Sequence, residues 1–163
     1  MKKFILCFIL LIISILCVRA EDKVLSLGVS IDDVPESFFG SWRITAKLDT
    51  TNSHSAFKPQ SVDIWTLTRT GDIITLDNPF TGAKADVSVR TVEGNLIVFS
   101  KKGNYDNKVL TDTVAIRLDE STFKGINTVT LESFSLIDNH LLKTETARYF
   151  INGEKIAGEN IIK

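Results

Sequence analysis

The feature that most constrains the fold is an alternation of apolar and polar residues with a period of two, which recurs along the chain. Turn-forming residues interrupt this alternation every eight to fifteen positions, and no long stretch carries apolar residues at helical spacing. Successive side chains of a β-strand point to opposite faces, so the pattern is typical of strands with one buried face. The sequence therefore predicts an all-β domain, either a sandwich or a barrel.

Eight main strands are predicted in meander order, joined by short connections. They cover 42–48, 61–69, 72–76, 84–92, 95–101, 111–118, 121–134 and 141–151. A set of this many antiparallel strands can close on itself, and its interior is either filled by side chains or holds one small ligand. We therefore predict an eight-stranded antiparallel up-and-down β-barrel. Asn152-Gly153 predicts a two-residue hairpin turn after the last long strand, with 154–158 returning briefly.

The first 20 residues have the pattern of a secretory signal peptide. Lys2 and Lys3 precede a nearly unbroken apolar run at 4–18, and the small residue Ala20 stands before the predicted cleavage site. A membrane-spanning helix needs roughly 20 apolar residues, so the shorter run favours a cleaved peptide over a membrane anchor. We predict a secreted or periplasmic protein that is not an integral membrane protein after cleavage.

The predicted organisation is a signal peptide at 1–20, an N-terminal segment covering one barrel end at 21–39, and the barrel domain at 40–163. Both cysteines, Cys7 and Cys17, lie in the signal peptide, so the mature chain would contain neither a thiol nor a disulfide. Removing the peptide leaves 16 basic and 20 acidic residues, a net charge of −4. Such a surface is not suited to phosphate backbones, and we predict no nucleic-acid partner.

Residues 32–42, Asp-Asp-Val-Pro-Glu-Ser-Phe-Phe-Gly-Ser-Trp, resemble the entry to the first strand of lipocalins and their calycin relatives. In that family an acidic and proline-containing stretch and an aromatic residue lead into Gly-x-Trp, which Gly40-Ser41-Trp42 matches. The family tryptophan packs at the closed end of the barrel, and an arginine of the last strand lies across its ring. The resemblance therefore implies a structural barrel floor made of Gly40, Trp42 and Arg148, where a guanidinium would gain from the indole quadrupole.

The resemblance extends in pattern over the whole mature chain, with two departures. Thr111-Asp112-Thr113 matches the family's Thr-Asp-Tyr motif only in part, and too few residues follow Ile151 for the family's C-terminal helix. The chain is thus closer to compact, helix-less bacterial lipocalin-like barrels than to animal lipocalins. The resemblance implies that the barrel binds a small, mainly hydrophobic molecule, which would be its partner.

The strand at 61–69 offers candidate ligand contacts, because neither of its faces is cleanly apolar. Asp63, Trp65, Leu67 and Arg69 share one face. Two explanations fit: a bulge that changes the phase of the strand, or a polar-lined cavity with Trp65 as a stacking wall and Arg69 at the mouth. Both remain open at this stage, and Trp65 and Arg69 are candidate ligand-binding residues.

The first strand supplies two more candidate ligand-binding residues, Ile44 and Ala46, and the small Ala46 is where a cavity is easiest to accommodate. The predicted wall consists of Ile44, Ala46, Leu48, Val87, Val89, Val114, Ile116 and Leu118. Phe99 and Tyr149 fall on the opposite phase from the residues expected to face inward, so we expect them outside the barrel or under loops.

The sequence argues against an enzyme, and we predict no catalytic residue, metal site or cofactor. The mature chain has no cysteine nucleophile, and His54 and His140 lie in polar loops without zinc-site spacing. Gly-x-Ser-x-Gly and phosphate-binding glycine motifs are absent, and the loop at 77–86 lacks the alternating carboxylates of a calcium site. Two hypotheses follow: a ligand-binding barrel, or a filled barrel that contacts an envelope protein through its loops or outer surface.

Overall fold

The computed structural model describes residues 29–158, which form a closed barrel of eight antiparallel strands and confirm the predicted fold class. The strands are β1 (Gly40–Thr51), β2 (Gln60–Thr70), β3 (Ile73–Asn78), β4 (Ala83–Glu93), β5 (Leu96–Tyr105), β6 (Lys108–Asp119), β7 (Thr122–Phe134) and β8 (Leu141–Ala157). They follow one another around the barrel in chain order, and β8 pairs with β1 to close it. The predicted signal peptide at 1–20 lies outside the described residues.

The period-two pattern explains why these segments form a barrel with a buried interior. In β1, Trp42 and Ile44 are buried whereas Arg43 and Thr45 are exposed. The same alternation runs through β8, where every second residue from Glu145 to Lys155 is buried. Each strand therefore turns one set of side chains to a shared interior and the other set to solvent.

The barrel has two different ends. At the closed end lie the connections at 71–72, 94–95 and 120–121, together with residues 29–39. At the open end lie the connections at 52–59, 79–82, 106–107 and 135–140. Strands β1, β3, β5 and β7 run from the closed end to the open end, and the other four run back.

Residues 29–39 pack against the closed end as two single-turn 3-10 helices, Ile31–Asp33 and Glu36–Phe38. The first is held by a capping box, in which the Asp33 carboxylate accepts from the Ser30 N–H at 3.1 Å and the Ser30 hydroxyl accepts from the backbone. Phe38 is 1% exposed and its ring meets that of Phe99 edge-on at 5.5 Å. The segment therefore contributes an aromatic side chain to the core.

The predicted turn at Asn152-Gly153 is wrong, because β8 continues without interruption to Ala157. A Cβ atom at Gly153 would lie 2.2 Å from a ring carbon of Phe123, so this glycine makes room for an aromatic ring of the adjacent strand. Close packing, and not a turn, explains why glycine occupies this position.

The expectation that Phe99 and Tyr149 face outward is also wrong. Phe99 is fully buried, and Tyr149 is 9% exposed. In both strands the inward set is shifted by one residue from the predicted set, and a shift of one residue exchanges the two faces of a strand.

The barrel wall opens along one seam at the open end. Strands β4 and β5 pair from Glu93↔Leu96 to Val87↔Lys101, and their pairing ends there. Ala83–Asp86 of β4 and Lys102–Tyr105 of β5 continue towards the open end without pairing to each other, although each still pairs with its other neighbour. The two strands therefore diverge beside the barrel mouth.

Candidate functional site

The interior of the barrel is filled in one half and hollow in the other. At the closed end, Phe38, Trp42 and Phe99 are each at most 1% exposed. At the open end lies a cavity of about 520 Å³, to which every strand contributes lining residues. The apolar part of its wall includes Ile44, Ala46, Trp65, Val129, Leu131 and Ile151. The barrel therefore presents a concave, largely apolar site that faces the open end.

Trp42 forms the floor of the barrel, as the resemblance implied. Its ring lies 5.1 Å from that of Phe123, and its Nε1–H donates to the carbonyl oxygen of Phe38 at 3.0 Å. The indole is thus buried with its polar group satisfied. Gly40 is at the same end with φ +120°, and a Cβ there would lie 2.4 Å from the carbonyl oxygen of Ala157. Only glycine permits both this conformation and this close approach.

The predicted stacking of Arg148 on Trp42 is wrong, because Lys155 occupies that position. The Lys155 ammonium lies 5.2 Å from the centroid of the Trp42 ring and donates to the carbonyl oxygen of Ser37 at 2.9 Å. Arg148 points outward, with its Nε 3.5 Å from Asp49 and its side chain half exposed. The phase of β8 is the reason: Ala147 and Tyr149 face inward, which places Arg148 on the outer surface.

Three of the four predicted ligand-contact residues line the cavity, namely Ile44, Ala46 and Trp65. Trp65 stands at the boundary between the two halves, with its ring 6.3 Å from Phe99 on the filled side. The other predicted wall residues belong to the packed core or its margin and do not line the cavity: Leu48, Val87, Val89, Val114, Ile116 and Leu118.

The predicted location of Arg69 at the cavity mouth is wrong. Strand β2 begins at the open end and finishes at the closed end, so Arg69, next to its last residue, lies far from the cavity. It pairs with Asp32 at 2.5 Å and donates to the carbonyl oxygen of Gly71 at 3.0 Å. The hydrogen bond with Asp32 raises the pKa of Arg69. This residue fastens the N-terminal segment to the closed end.

Polar and apolar residues share the inward face of β2 because that face lines a partly polar cavity, and not because of a bulge. Its pairing with β1 and with β3 shows no register shift. Asp63 and Trp65 both face the cavity, and Asp63 accepts from the Asn78 amide at 2.6 Å and from the Ile64 N–H at 2.9 Å. Asn78 in turn accepts from the backbone N–H groups of the following loop. We call Asp63 and Asn78 the β2–β3 polar pair.

A second polar group faces the cavity from β5, β6 and β7. The Lys101 ammonium donates to Asp112 Oδ2 at 2.6 Å, and the Asn127 amide donates to Asp112 Oδ1 at 2.9 Å. Asp112 is 6% exposed and Asn127 is 8% exposed. A buried carboxylate requires such partners, because the loss of its hydration must be offset. We call Lys101, Asp112 and Asn127 the β5–β7 polar triad.

The polar pair and two members of the polar triad face each other across a recess of about 60 Å³ that adjoins the main cavity. Asp63, Asn78, Lys101 and Asp112 all line it. It lies beside the seam between β4 and β5, because Ala83–Ala85 and Lys102–Gly103 also contribute. The cavity therefore has an apolar wall on one side and a polar recess on the other.

The polar triad was missed at the level of sequence, although a signal for it exists. Asp112 is in phase with Val114, Ile116 and Leu118, which are all buried. Its parity along the strand therefore places it inside the barrel. A polar residue in phase with a buried apolar set is the pattern that indicates a polar group in a barrel interior.

The loop at 52–59 borders the mouth and is tied to β8 by several hydrogen bonds. Tyr149 donates its hydroxyl to the carbonyl oxygen of Lys58 at 3.1 Å, and burial raises the pKa of this phenol. Glu145 accepts from the Ser53 hydroxyl and from the Lys143 ammonium, and these bonds, that with Lys143 first, lower the pKa of its carboxyl. Phe57 of this loop lines the cavity. The mouth is thus bordered by an anchored loop.

The two histidines lie apart from the cavity wall. His54 is exposed, and His140 is exposed and contacts Asp138 at 2.5 Å. Within residues 29–158, no group of three or more His, Cys, Asp or Glu side chains is placed to hold a metal ion. Over the same range, no helix has the length and apolar character needed to cross a membrane.

Comparison with known proteins adds no family assignment: no family model, curated protein or solved structure matches the chain. The barrel itself is consistent with a lipocalin-like fold.

Proposed function

We propose that the protein is an exported, lipocalin-like carrier that binds a small, mainly hydrophobic molecule in the cavity at the open end. The observation that carries the proposal is the hollow half of the barrel, about 520 Å³ in volume, next to a fully packed half. Small-molecule sites are typically clefts of about 300–1,000 Å³ with mostly apolar walls and a few polar groups that set orientation. The apolar wall and the opposing polar recess fit that description.

The apolar wall would supply most of the affinity. Burial of apolar ligand surface contributes about 25 cal/mol per Å², and only the surplus over the cost of association appears as affinity. Trp65 offers an aromatic face at the bottom of the cavity, and Val129 and Leu131 continue the wall towards the mouth. An elongated apolar molecule would follow this wall. The chemistry requires no catalytic residue, metal ion or cofactor.

The experiment that tests the proposal fills the cavity from within. Ala46→Trp places an indole in the hollow half. We expect it to weaken binding of an apolar fluorescent probe at least about tenfold, because the indole occupies the volume that the probe would fill. Thr45→Trp is the matched control: Thr45 is the adjacent residue of β1 and faces solvent. The control should bind the probe like the unmodified protein. Equal binding by both variants would contradict the proposal.

Native mass spectrometry of the protein purified from its own compartment provides an independent test. A discrete extra mass that disappears on organic extraction is the expected result, and the extract would identify the chemical class of the ligand. A clean mass with no uptake from a mixed pool of lipids and small molecules would contradict a carrier.

One observation favours a second candidate function, contact with an envelope protein through the loops. Leu136 and Ile137, in the connection between β7 and β8, are 85% and 97% exposed. Exposed apolar side chains in sequence can mark a binding surface for another protein. Leu136→Ser with Ile137→Ser separates the two functions: a carrier would keep its probe affinity in this variant, whereas a loop-mediated complex would be lost.

A further inference from the structure

Asp63 is a carboxylate of the cavity wall that has one oxygen bonded and the other free. Both of its hydrogen bonds end on Oδ1, which accepts from the Asn78 amide at 2.6 Å and from the Ile64 N–H at 2.9 Å. Within residues 29–158, Oδ2 has no hydrogen-bond partner, and no ion pair joins Asp63 to a basic side chain. Asp112 differs, because each of its two oxygens has a partner.

The free oxygen of Asp63 is accessible from the barrel interior. Among the described residues, Asn127 Oδ1 is the buried side-chain atom that lacks a partner, so Asp63 Oδ2, which also lacks one, is not buried. Asp63 is in phase with Trp65 and Leu67, whose side chains are buried in the barrel, and it lines both the main cavity and the polar recess. The accessible space that Oδ2 meets is therefore that of the cavity and its recess, where a bound molecule can reach it.

The lysines around the cavity leave this carboxylate without a counter-ion. Lys101 faces inward, but its ammonium donates to Asp112 at 2.6 Å. The other lysines that line the cavity or its recess are exposed residues, namely Lys84, Lys102 and Lys108. The interior therefore holds two carboxylates, Asp63 and Asp112, against one inward-facing ammonium. A carboxylate beside an apolar wall is unfavourable unless a partner offsets the loss of its hydration.

A cationic group satisfies such a carboxylate better than a neutral donor does. A hydrogen bond between an ammonium and a carboxylate is short and roughly twice as strong as one between neutral groups. Trp65 stands next to Asp63 on the inward face of β2, and the face of an indole attracts a cation. An anionic group at this position would instead be repelled by Asp63 and Asp112.

We infer that the ligand is an apolar amine, and that its ammonium pairs with Asp63 Oδ2 beside Trp65 while its apolar part lies along the cavity wall. This inference rests on the proposed function, because it assigns the charged group of the molecule that the cavity binds. Asp63 and Trp65 are the binding residues for the ammonium. Asn78 is a positioning residue, since its bond to Oδ1 holds the carboxylate with Oδ2 free.

The first test compares three compounds with the same alkyl chain on the unmodified protein: octylamine, octanol and octanoate. Each is used to displace an apolar fluorescent probe at neutral pH. Octylamine carries an ammonium, octanol a neutral donor and octanoate a negative charge. We expect octylamine to bind about tenfold more tightly than octanol, because only the ammonium forms a charge-assisted bond with Asp63, and we expect octanoate to bind most weakly.

The second test removes the charge of Asp63 and keeps the shape of its side chain. Asp63→Asn should abolish the preference for octylamine over octanol. The predicted mature chain has a net charge of −4 and attracts cations in general, so the control must lose the same charge elsewhere. Asp77→Asn does so on the outer face of β3, where Asp77 lies 3.7 Å from Lys84. This control should keep the preference.

The outcomes separate this inference from the proposed function. Tightest binding of octanol or octanoate, a preference for octylamine that survives in Asp63→Asn, or one that is lost equally in Asp77→Asn would overturn the assignment of the ammonium and leave the carrier function standing. If neither the three compounds nor the apolar probe bind, both are overturned. The order of the three compounds is measured on the unmodified protein, so it tests the charge of the ligand even if Asp63→Asn fails to fold.

Discussion

The two halves of the barrel are built from the same eight strands, yet one is packed and the other is hollow. On β1, the inward position near the closed end is Trp42, and the position near the open end is Ala46. On β5, the corresponding residues are Phe99 and Lys101. Closure of the sheet therefore does not determine whether a cavity forms. The volume and polarity of the inward side chains do, and here one half supplies stability while the other offers a site.

The largest expected difference between the two halves comes from truncating a phenylalanine in each of them. Phe99 is fully buried, with its ring 5.5 Å from Phe38 and 6.3 Å from Trp65. Phe99→Ala should lower the free energy of unfolding by about 3–5 kcal/mol, because it removes buried apolar surface and leaves a void. Urea denaturation of the purified protein measures the loss.

Phe57→Ala is the matched change in the open half, since Phe57 is only partly buried and lines the cavity. We expect it to cost less than about 1.5 kcal/mol and to weaken binding of an apolar probe. If the two variants lose the same free energy of unfolding, the division into a stabilising half and a binding half is incorrect.

A smaller effect distinguishes the two basic residues of β8. Lys155→Met keeps the alkyl stem but removes the ammonium that lies over Trp42 and bonds to the Ser37 carbonyl. We expect a loss of about 1–3 kcal/mol in the free energy of unfolding. Arg148→Met, on the outer face of the same strand, should change it by less than about 0.5 kcal/mol. A larger loss in the free energy of unfolding for Arg148→Met than for Lys155→Met would instead support the stacking of Arg148 on Trp42 that the lipocalin resemblance implied.

The smallest effect concerns the loop at the mouth and depends on pH. Folding lowers the pKa of Glu145 below its ordinary value of 4.5, chiefly through Lys143 and then Ser53. Its contribution to stability is therefore present above the unfolded pKa and is lost as the pH falls through the lower, folded pKa. Glu145→Gln should lower stability at neutral pH and flatten its decline in that acidic range.

Urea midpoints measured across that range for the unmodified protein, Glu145→Gln and Ser53→Ala test this prediction. Ser53→Ala removes only the second of the two partners, so it should reduce the acid-dependent loss without abolishing it. An acid decline as steep in Glu145→Gln as in the unmodified protein would show that other carboxylates are responsible.

The closed barrel could be predicted from the sequence because period-two alternation and turn spacing are local signals. Trp42 at the floor and Ala46 and Ile44 beside the cavity also followed from β1, where the apolar set is unambiguous. In β8 the apolar set is ambiguous, because 143–146 are all polar and apolar residues occur in both phases, so either set could face inward. The assignment of Arg148 to the floor failed for that reason.

The meeting of the three triad side chains and the position of Arg69 could not be predicted for a different reason. Lys101, Asp112 and Asn127 come from three strands, and only the register of β5, β6 and β7 brings their side chains together. The sequence of one strand shows only its own polar residue, and it does not show which polar residue of the next strand lies beside it. The end of the barrel at which Arg69 lies follows from the direction of β2. The alternation within that strand shows which face Arg69 is on but not which end of the barrel it is near.

The seam between β4 and β5 has a consequence for the motions of the molecule. Beyond Val87↔Lys101, the facing backbone amides of Ala83–Asp86 and Lys102–Tyr105 have no ladder partner across the gap between β4 and β5. Amides outside a hydrogen-bonded ladder exchange their protons with solvent through small local openings. The barrel should therefore open locally along this seam. Backbone amides beside the polar recess should exchange their protons for deuterium long before those at the closed end do.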